Sequence, residues 1–362
     1  MGLIFFREFG GSRIRQYDAQ PFLLDNGLME SVDATQPAGL SYEIPADEWQ
    51  KIDVSKTVVP DDWAWKPRRF IDGKHRGQVA TCLFSAERYP VPVYLSQIGA
   101  VEMCIQNNCL RRTNQKLETV VALMAHLFPW ERVESLATAL QIEGYRMLIA
   151  EKPQPLNMQD TAAYSYDFER MRKTTHNCSN DEMLRHEKQI LANNCNIPTI
   201  IDGRLEPRAS AITNSNVPTV GVIKTHSKNY LHARGWQTFY SLMPCQRTPA
   251  FLLSKEDTQD TKVRFEVISW YLRLAGSQNE MPNYGVVRVE IPYDFFKGKS
   301  FDLIIDYINW LSQFIYDYRS HDANYARSAI SISPIQRAEE SLGSLLPSSE
   351  AELSHFYHLT RL

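Results

Sequence analysis

The sequence predicts an α/β protein in which a mixed β-sheet is flanked by helices. Short runs rich in β-branched and aromatic residues are separated by polar or proline-containing joints, which is typical of strands. Other segments carry apolar residues at spacings of three and four, which is typical of helices. The chain has 362 residues, of which 43% are hydrophobic and 22% are charged. These are ordinary globular proportions, so we expect a large buried core, in about two domains or in one domain with insertions.

The first half of the chain is predicted to form an antiparallel meander followed by helices. Three strand candidates share β-branched runs and short connections: 69–73, 78–84 and 91–105. Residues 115–150 are predicted as two helices that are broken at Pro129, because proline interrupts a helix. A long helix is predicted over about 160–194.

The second half of the chain alternates strands with helices. Residues 197–203 and 219–224 have the composition of buried strands. A helix is predicted over 300–329, and another begins at Ser333, where serine can cap the helix and Pro334 suits its first position. Three further strand-like runs lie between these segments: 250–253, 263–275 and 284–291.

The charge distribution suggests how the chain is organised. Residues 1–50 contain eight acidic and three basic residues, although the whole chain has a net charge of only −3. We therefore predict an N-terminal arm over 1–60 that contacts a partner or a second copy of the chain. A core domain is predicted over 61–345, with a helical insertion at about 106–165, and residues 346–362 are predicted to be a C-terminal tail.

Several classes of protein are disfavoured by the sequence. The glycines form no phosphate-binding motif, so ATP or dinucleotide binding has no support. There is no apolar run of 18 residues, and the N-terminal apolar run is too short for a signal peptide. The six cysteines form no Cys-x-x-Cys pair. We therefore expect reduced thiols in a cytoplasmic protein.

Two aspartates follow apolar strand residues at the predicted ends of two strands. Asp72 shares a strand face with Phe70, and Asp202 shares one with Ile200, because strand side chains alternate. Each aspartate precedes a glycine. A turn-forming Asp-Gly pair is the alternative explanation for either position taken alone.

Two further carboxylates lie on predicted apolar helix faces. Glu187 falls in the middle of the stripe formed by Met183, Leu184, Ile190 and Leu191 at about 100° per residue. Asp322 lies on the core stripe if the helix that begins near residue 300 continues that far. A buried carboxylate must be paired, protonated or bound to a metal. A buried salt bridge and a helix-capping role are the respective alternatives.

The four carboxylates, without a cysteine cluster, favour cations that prefer oxygen ligands, Mg²⁺ or Mn²⁺. Two such ions about 4 Å apart can activate a water molecule and stabilise the leaving oxygen of a phosphodiester. Basic residues near these carboxylates provide partners for a phosphate backbone, although a solvated surface is the alternative. These predicted nucleic-acid-binding residues are Arg69, Lys74, Arg76, Arg204, Arg208 and Lys228, and Lys224 is predicted to act in the catalytic site.

Six short motifs, taken in order, resemble those of the NurA nuclease family. They include Phe70-Ile71-Asp72-Gly73, a second Asp-Gly strand, a Gly-Val-Ile-Lys strand and a C-terminal His-Asp pair. They span about residues 66–330, and their positions are 70–73, 199–205, 220–225, 270–274, 286–292 and 321–323.

The resemblance implies an RNase H-like core, a homodimer and divalent-metal-dependent cleavage of DNA, as an exonuclease, a single-strand endonuclease or both. It also implies a partner, a hexameric HerA-type translocase ATPase, in DNA end processing or anti-phage defence. Asp72, Asp202 and Asp322 carry over as metal ligands, Glu187 matches the family's helix glutamate best, and His321 carries over as a catalytic helper.

The family's catalytic tyrosine has no match, although three tyrosines lie in the right part of the chain: Tyr293, Tyr316 and Tyr318. Lys224 and Arg204 are expected to stabilise phosphate charge. We expect the acidic residues 1–50 to contribute to docking of the ATPase.

Two other functions remain compatible with the sequence. The chain could be a non-catalytic or partner-activated DNA-binding adaptor of the ATPase. It could also be an RNase or another phosphoesterase on the same scaffold, since no motif reads bases and the choice of DNA depends on the family resemblance.

Overall fold

The computed structural model describes residues 2–14, 40–150, 167–205, 216–225, 230–256, 264–276 and 281–362. Within them, twelve strands form a single mixed sheet. The strands are β1 (Leu40–Ser41), β2 (Ile52–Asp53), β3 (Arg69–Phe84), β4 (Pro90–Gln106), β5 (Cys109–Leu123), β6 (Tyr145–Ile149), β7 (Thr199–Asp202), β8 (Thr219–Ile223), β9 (Gln246–Arg247), β10 (Phe251–Glu256), β11 (Arg264–Arg273) and β12 (Val286–Pro292).

Eight α-helices surround this sheet in the described parts of the chain. They are α1 (Phe5–Glu8), α2 (Trp130–Ile142), α3 (Phe168–Ala192), α4 (Ala233–Tyr240), α5 (Tyr293–Phe296), α6 (Phe301–Asp317), α7 (Ser333–Leu345) and α8 (Ser349–Thr360). None of the helices described here has the length and apolar character that crossing a membrane requires.

The centre of the sheet has the order β5–β4–β3–β7–β8. β3 and β4 contain the three strand candidates of the predicted antiparallel meander, and β5 adds a further antiparallel strand, whereas β7 and β8 are added parallel to β3. A parallel neighbour requires a crossover connection, and α3 lies in the connection that leads into β7. β12, β11, β10 and β1 then extend the sheet in antiparallel order. The predicted α/β class, with a large mixed sheet between helices, is confirmed.

The two faces of the central strands pack against different helices. Phe70 of β3 is buried in a cluster with Ile335 and Leu342 of α7. Its neighbour Ile71 is buried in a separate cluster with Ile190 of α3. Because strand side chains alternate, α7 and α3 cover opposite faces of β3. Asp72, two residues after Phe70, therefore points toward the face that α7 covers.

The predicted turn after residue 73 is wrong. β3 is one continuous strand that runs through Asp72 and Gly73 to Phe84, paired with β4 along its whole length. Asp72 therefore lies inside a strand and not at its end. The glycines at 73 and 77 resemble turn signals in sequence, but the pairing with β4 determines the strand.

The prediction of a helical insertion over 106–165 is also wrong where the structure describes that segment. Residues 109–123 form β5, which continues the meander through a two-residue turn at Asn107 and Asn108, both with positive φ. Asparagine tolerates this conformation, and such turns join tightly paired strands. A helix occupies only residues 130–142, after Pro129 as expected, and residues 151–166 lie outside the described residues.

The described parts of the predicted arm and tail belong to the body of the protein. Phe5 and Phe6 of α1 are buried in a core cluster with Phe356 of α8. Farther along, Glu43 forms an ion pair with the buried Arg247 at 2.7 Å. Both segments bury large apolar or charged side chains, which an arm or tail in solvent would not do. Residues 15–39 lie outside the described residues.

Candidate active site

Asp72 and Asp202 lie side by side on adjacent parallel strands. In the register of β3 and β7, Ile71 is opposite Ile201, which places each aspartate next to the other on the same face. The Asp72 side chain is buried, with only 5% of its surface exposed, whereas Asp202 is half-buried. Burial, and next the Asp202 charge, hold the pKa of Asp72 well above its ordinary value. Two carboxylates this close repel each other when both are ionised, so both lose their protons only when a cation balances their charge.

Lys224 supplies part of that positive charge. It follows β8, in which Val222 is opposite Asp202, and its Nζ lies 2.8 Å from Asp202 Oδ2. Only 9% of the Lys224 side chain is exposed. Lys224 and Lys74 both lower the pKa of Asp72, but they do not outweigh burial and Asp202. The pair of carboxylates therefore remains short of positive charge.

A third carboxylate of this site, Glu339, was not among the sequence predictions. It lies on α7, beside the apolar stripe of Ile335, Ala338 and Leu342, and its charge also raises the pKa of Asp72. The helix start at residue 333 was predicted, but the face that carries Glu339 becomes apparent only when α7 is placed against β3.

Tyr325 is the tyrosine that reaches this site. Its hydroxyl donates a short hydrogen bond to Glu339 Oε2. Burial, and next this hydrogen bond to Glu339, raise the pKa of Tyr325, so the phenol keeps its proton. The three tyrosines proposed from the sequence, Tyr293, Tyr316 and Tyr318, do not include it.

Glu187 approaches the same part of β3 from the α3 face. A Cβ atom added at Gly73 would lie 2.4 Å from Glu187 Oε1 and 2.2 Å from Met183 Sδ. Glycine at position 73 thus permits the close packing of α3 on the face of β3 opposite to the Asp72 side chain, so the structure does not bring Glu187 together with Asp72 and Asp202. Met183, Ile190 and Leu191 are buried as the helical periodicity predicts, while Glu187 itself is half-buried.

Asp322 does not lie on a helix, because α6 ends at Asp317. It belongs to a turn, where its Oδ1 accepts a hydrogen bond from the backbone N–H of Asn324 at 2.9 Å. Its Oδ2 accepts one from Gln336 Nε2 of α7, also at 2.9 Å. Asp322 is half-buried, and His321 is exposed. The helix prediction is wrong here, but Asp322 is tied to the helix that carries Glu339.

Arg69 is a structural residue, which corrects its assignment as a phosphate contact. It is completely buried, and its guanidinium pairs with Glu102 at 2.6 Å. The same group donates to carbonyl oxygens at the end of α3, including Leu191 O at 3.0 Å and Asn194 O at 3.1 Å. These carbonyls have no partner within the helix, so Arg69 joins the end of α3 to β3.

The remaining predicted basic residues occupy different surroundings. Lys74 lowers the pKa of Asp72, as described above, and Arg204 is exposed in the turn after Asp202. Arg76 Nη1 donates to Pro347 O at 2.8 Å, so it fixes the chain between α7 and α8. Arg208 and Lys228 lie outside the described residues.

A separate group of residues whose side chains could bind a metal ion consists of Glu118, Glu182 and His186. Arg146 already pairs with both glutamates, at 2.8 Å for Glu118, and Arg185 also pairs with Glu182. The carboxylate charges of this group are therefore balanced by arginines, in contrast to those around Asp72.

A divalent cation fits the site at Asp72 by charge and by donor type. The three carboxylates that act together there, Asp72, Asp202 and Glu339, offer only oxygen ligands, which Mg²⁺ and Mn²⁺ prefer. A bound cation would offset the like charges that Asp202 and Glu339 place near Asp72.

No protein-family model matches the sequence. No curated protein matches it either. The structure resembles the crystal structure of the NurA nuclease from Sulfolobus solfataricus, with a TM-score of 0.37 and 11% sequence identity over 86% of each chain. This is a distant structural similarity.

Proposed function

We propose that this chain is a divalent-metal-dependent nuclease that cleaves DNA. The observation that carries the proposal is the pairing of Asp72 and Asp202 on adjacent strands, with the pKa of the buried Asp72 held well above its ordinary value. Two neighbouring carboxylates supply the oxygen ligands that a Mn²⁺ or Mg²⁺ site requires. We propose two ions, as the sequence analysis expects.

The strand arrangement supports an RNase H-like core as part of this proposal. Three antiparallel strands, β3 to β5, are followed by two parallel strands, β7 and β8, in the order β5–β4–β3–β7–β8. This is the order expected of an RNase H-like sheet. Asp72 and Asp202 lie on the first and fourth of these strands, and Glu339 lies on α7, the helix that covers the same face.

The residues of the site have distinct roles in the proposed reaction. Asp72, Asp202 and Glu339 would hold the ions, with Asp322 at the edge of the group. Glu187 lies on the opposite face of β3 and would act only through the packing of α3. Bound ions would activate a water and offset charge on the phosphodiester. Lys224, Lys74 and Arg204 would stabilise phosphate charge, and Tyr325 keeps Glu339 oriented through its hydrogen bond. His321, exposed beside Asp322, would assist proton transfer or position a phosphate.

The proposal extends to partners and context through the sequence motifs alone. It includes a homodimer in the cytoplasm and a HerA-type hexameric translocase, in DNA end processing or anti-phage defence. The cytoplasmic location is supported by the six cysteines, none of which is in a disulfide.

The test is cleavage of labelled single- and double-stranded DNA with Mn²⁺, Mg²⁺ or chelator, with and without the ATPase. We expect metal-dependent cleavage that Asp202→Asn reduces by at least about a thousandfold, or roughly 4 kcal/mol of transition-state stabilisation. The matched control is Asp306→Asn on α6, an exposed aspartate, which should cleave like the wild type.

Two outcomes would contradict the proposal. Equal cleavage by Asp202→Asn and the wild type would show that the site is misassigned. DNA binding without cleavage in every metal, even with the ATPase, would favour the adaptor function instead. Cleavage of RNA but not DNA would keep the site and change the substrate.

A further inference from the structure

The backbone N–H and the carbonyl oxygen of Leu205, three residues after Asp202, both form hydrogen bonds with charged side chains. Its N–H donates to Glu290 Oε2 of β12 at 3.1 Å. Its carbonyl oxygen accepts from Lys255 Nζ of β10 at 3.0 Å. Lys255 Nζ also donates to Glu290 Oε2 at 2.6 Å, which closes a ring of three hydrogen bonds. Leu205 itself is completely buried.

The turn between Asp202 and Leu205 lies directly on β8. Gly203 has a φ of +116°, and its N–H donates to Val222 O at 2.8 Å. A Cβ atom added at Gly221 would lie 2.7 Å from Gly203 O, so a glycine at 221 makes room for this turn. Glu290 is opposite Gly221 in the pairing of β12 with β8, which brings its carboxylate under the turn.

Removing the charged side chains of Glu290 and Lys255 from water costs free energy. Glu290 is completely buried, and burial alone would raise its pKa, but Lys255 and Arg288 outweigh burial and hold it below its ordinary value. Replacing a buried ion group by apolar residues is often neutral or stabilising. Stability alone therefore does not account for Glu290 and Lys255. Their shared contact is the backbone of the turn that follows Asp202.

We infer that Glu290 and Lys255 are positioning residues, which fix the turn at Leu205 and thereby aim the Asp202 carboxylate at Asp72. This inference rests on the proposed function, because it gives the group a task in the same site. Neither side chain is placed against substrate. Supporting residues of this kind typically contribute about 10- to 100-fold in metal affinity or activity.

The experiment compares Lys255→Met and Glu290→Gln with the wild type in the full chain. Three quantities are measured: the carboxyl ¹³C shift of Asp202 at a fixed pH, the Mn²⁺ concentration that gives half-maximal cleavage, and the unfolding temperature. We expect the ¹³C shift of Asp202 to change, because its carboxylate is no longer held in place, and the half-maximal Mn²⁺ concentration to rise about 10- to 100-fold. Lys255→Arg, which keeps a donor, should recover part of both changes.

The control for stability is Arg247→Met, which breaks a buried ion pair with Glu43 elsewhere in the sheet. It should lower the unfolding temperature without changing the ¹³C shift of Asp202 or the Mn²⁺ dependence. If Lys255→Met behaves like this control, the inference is wrong. Glu290→Gln removes the buried carboxylate that pairs with Arg288 and is the variant more sensitive to misfolding, so the result for Lys255→Met is the deciding one.

The ¹³C measurement separates this inference from the proposed function. If the wild type does not cleave DNA, the proposed function fails, but the ¹³C shift of Asp202 in Lys255→Met still tests the positioning. An unchanged shift would overturn the positioning even if the wild type is an active nuclease.

Discussion

Asp72 combines burial with a neighbouring like charge, and this combination determines how the residue responds to pH. Its folded-state pKa lies well above the ordinary value of 3.8. The folded protein therefore holds this proton more tightly than the unfolded chain does. Without metal, its contribution to stability is complete below pH 3.8 and is lost as the pH rises through the raised pKa.

The first prediction concerns how the stability of Asp72→Asn depends on pH. Asp72→Asn has no proton to lose, so its unfolding temperature should exceed that of the metal-free wild type by a margin that grows with pH. Calorimetry between pH 4.5 and 8 measures the margin, with Asp306→Asn as the control that shows none. Adding Mn²⁺ should stabilise the wild type and not the variant, because only the wild type binds the ion. A margin that does not change with pH would contradict the assignment.

Glu339 provides a second prediction at the scale of single residues. Glu339→Gln removes a negative charge near Asp72, so the pKa of Asp72 should fall and cleavage at a fixed Mn²⁺ concentration should drop by about 10- to 100-fold. The next residue of the same helix, Glu340, pairs with Arg337 at 2.6 Å and offers a matched control. If Glu340→Gln reduces cleavage as strongly as Glu339→Gln, a general helix effect and not a site contact is responsible.

At the scale of elements, the contact between β3 and α3 depends on one glycine. Gly73 lies where a side chain would collide with Met183 Sδ and Glu187 Oε1. Met183 is buried and has little room to shift, whereas the half-buried Glu187 can turn its carboxylate aside. The position therefore determines how closely the helix that carries Glu187 approaches the strand that carries Asp72.

The third prediction concerns this contact. Gly73→Ala should lower the free energy of unfolding by about 1–3 kcal/mol through overpacking and reduce metal-dependent cleavage at the same time. Gly343→Ala in α7 is the matched control, because its Cβ would find only Lys74 Nζ, at 3.9 Å. Alanine also favours a helix over glycine by about 1 kcal/mol, so that variant should be at least as stable as the wild type. Urea unfolding and the cleavage assay measure both effects, and an equally stable, fully active Gly73→Ala would contradict the packing described here.

Arg69 shows why element contacts were hard to predict. In sequence it stands in a basic stretch beside Asp72, as a phosphate-binding residue would. In the structure its guanidinium pairs with Glu102 on β4 and donates to the carbonyl at the end of α3. The partners lie 33 and about 120 residues away in sequence, so no local pattern indicated them.

At the scale of the whole molecule, the two ends of the described chain meet. Phe6 of α1 packs against Phe356 of α8, with 5.2 Å between ring centroids. The backbone N–H of Ile14 donates to the hydroxyl of Tyr357 at 3.0 Å. A deletion of residues 1–40, designed to remove a partner-binding arm, would therefore also remove part of this core. The proposed docking role of residues 1–50 needs surface substitutions of acidic residues instead.

The fourth prediction tests whether the N-terminal segment is part of the buried core. Phe6→Ala should lower the free energy of unfolding by about 3–5 kcal/mol, because the side chain is completely buried. Phe301→Ala, which truncates a phenylalanine that is 47% exposed, should cost clearly less. Urea unfolding measures both, and equal losses would mean that the N-terminal segment is not part of the core.

Local sequence patterns were enough to predict the α/β class, the antiparallel segments that form β3 and β4, the strands that carry Asp72 and Asp202, and the helix that carries Glu187. These features depend on local periodicity and on residue types along short segments, so they can be recognised without neighbours. Tertiary structure decided the rest. It showed that β3 continues past Asp72, that residues 109–123 form a strand, that Arg69 is a structural residue, and that Glu339 and Tyr325 join the site. Each of these depends on contacts between residues far apart in sequence, where pairing and burial override local preference.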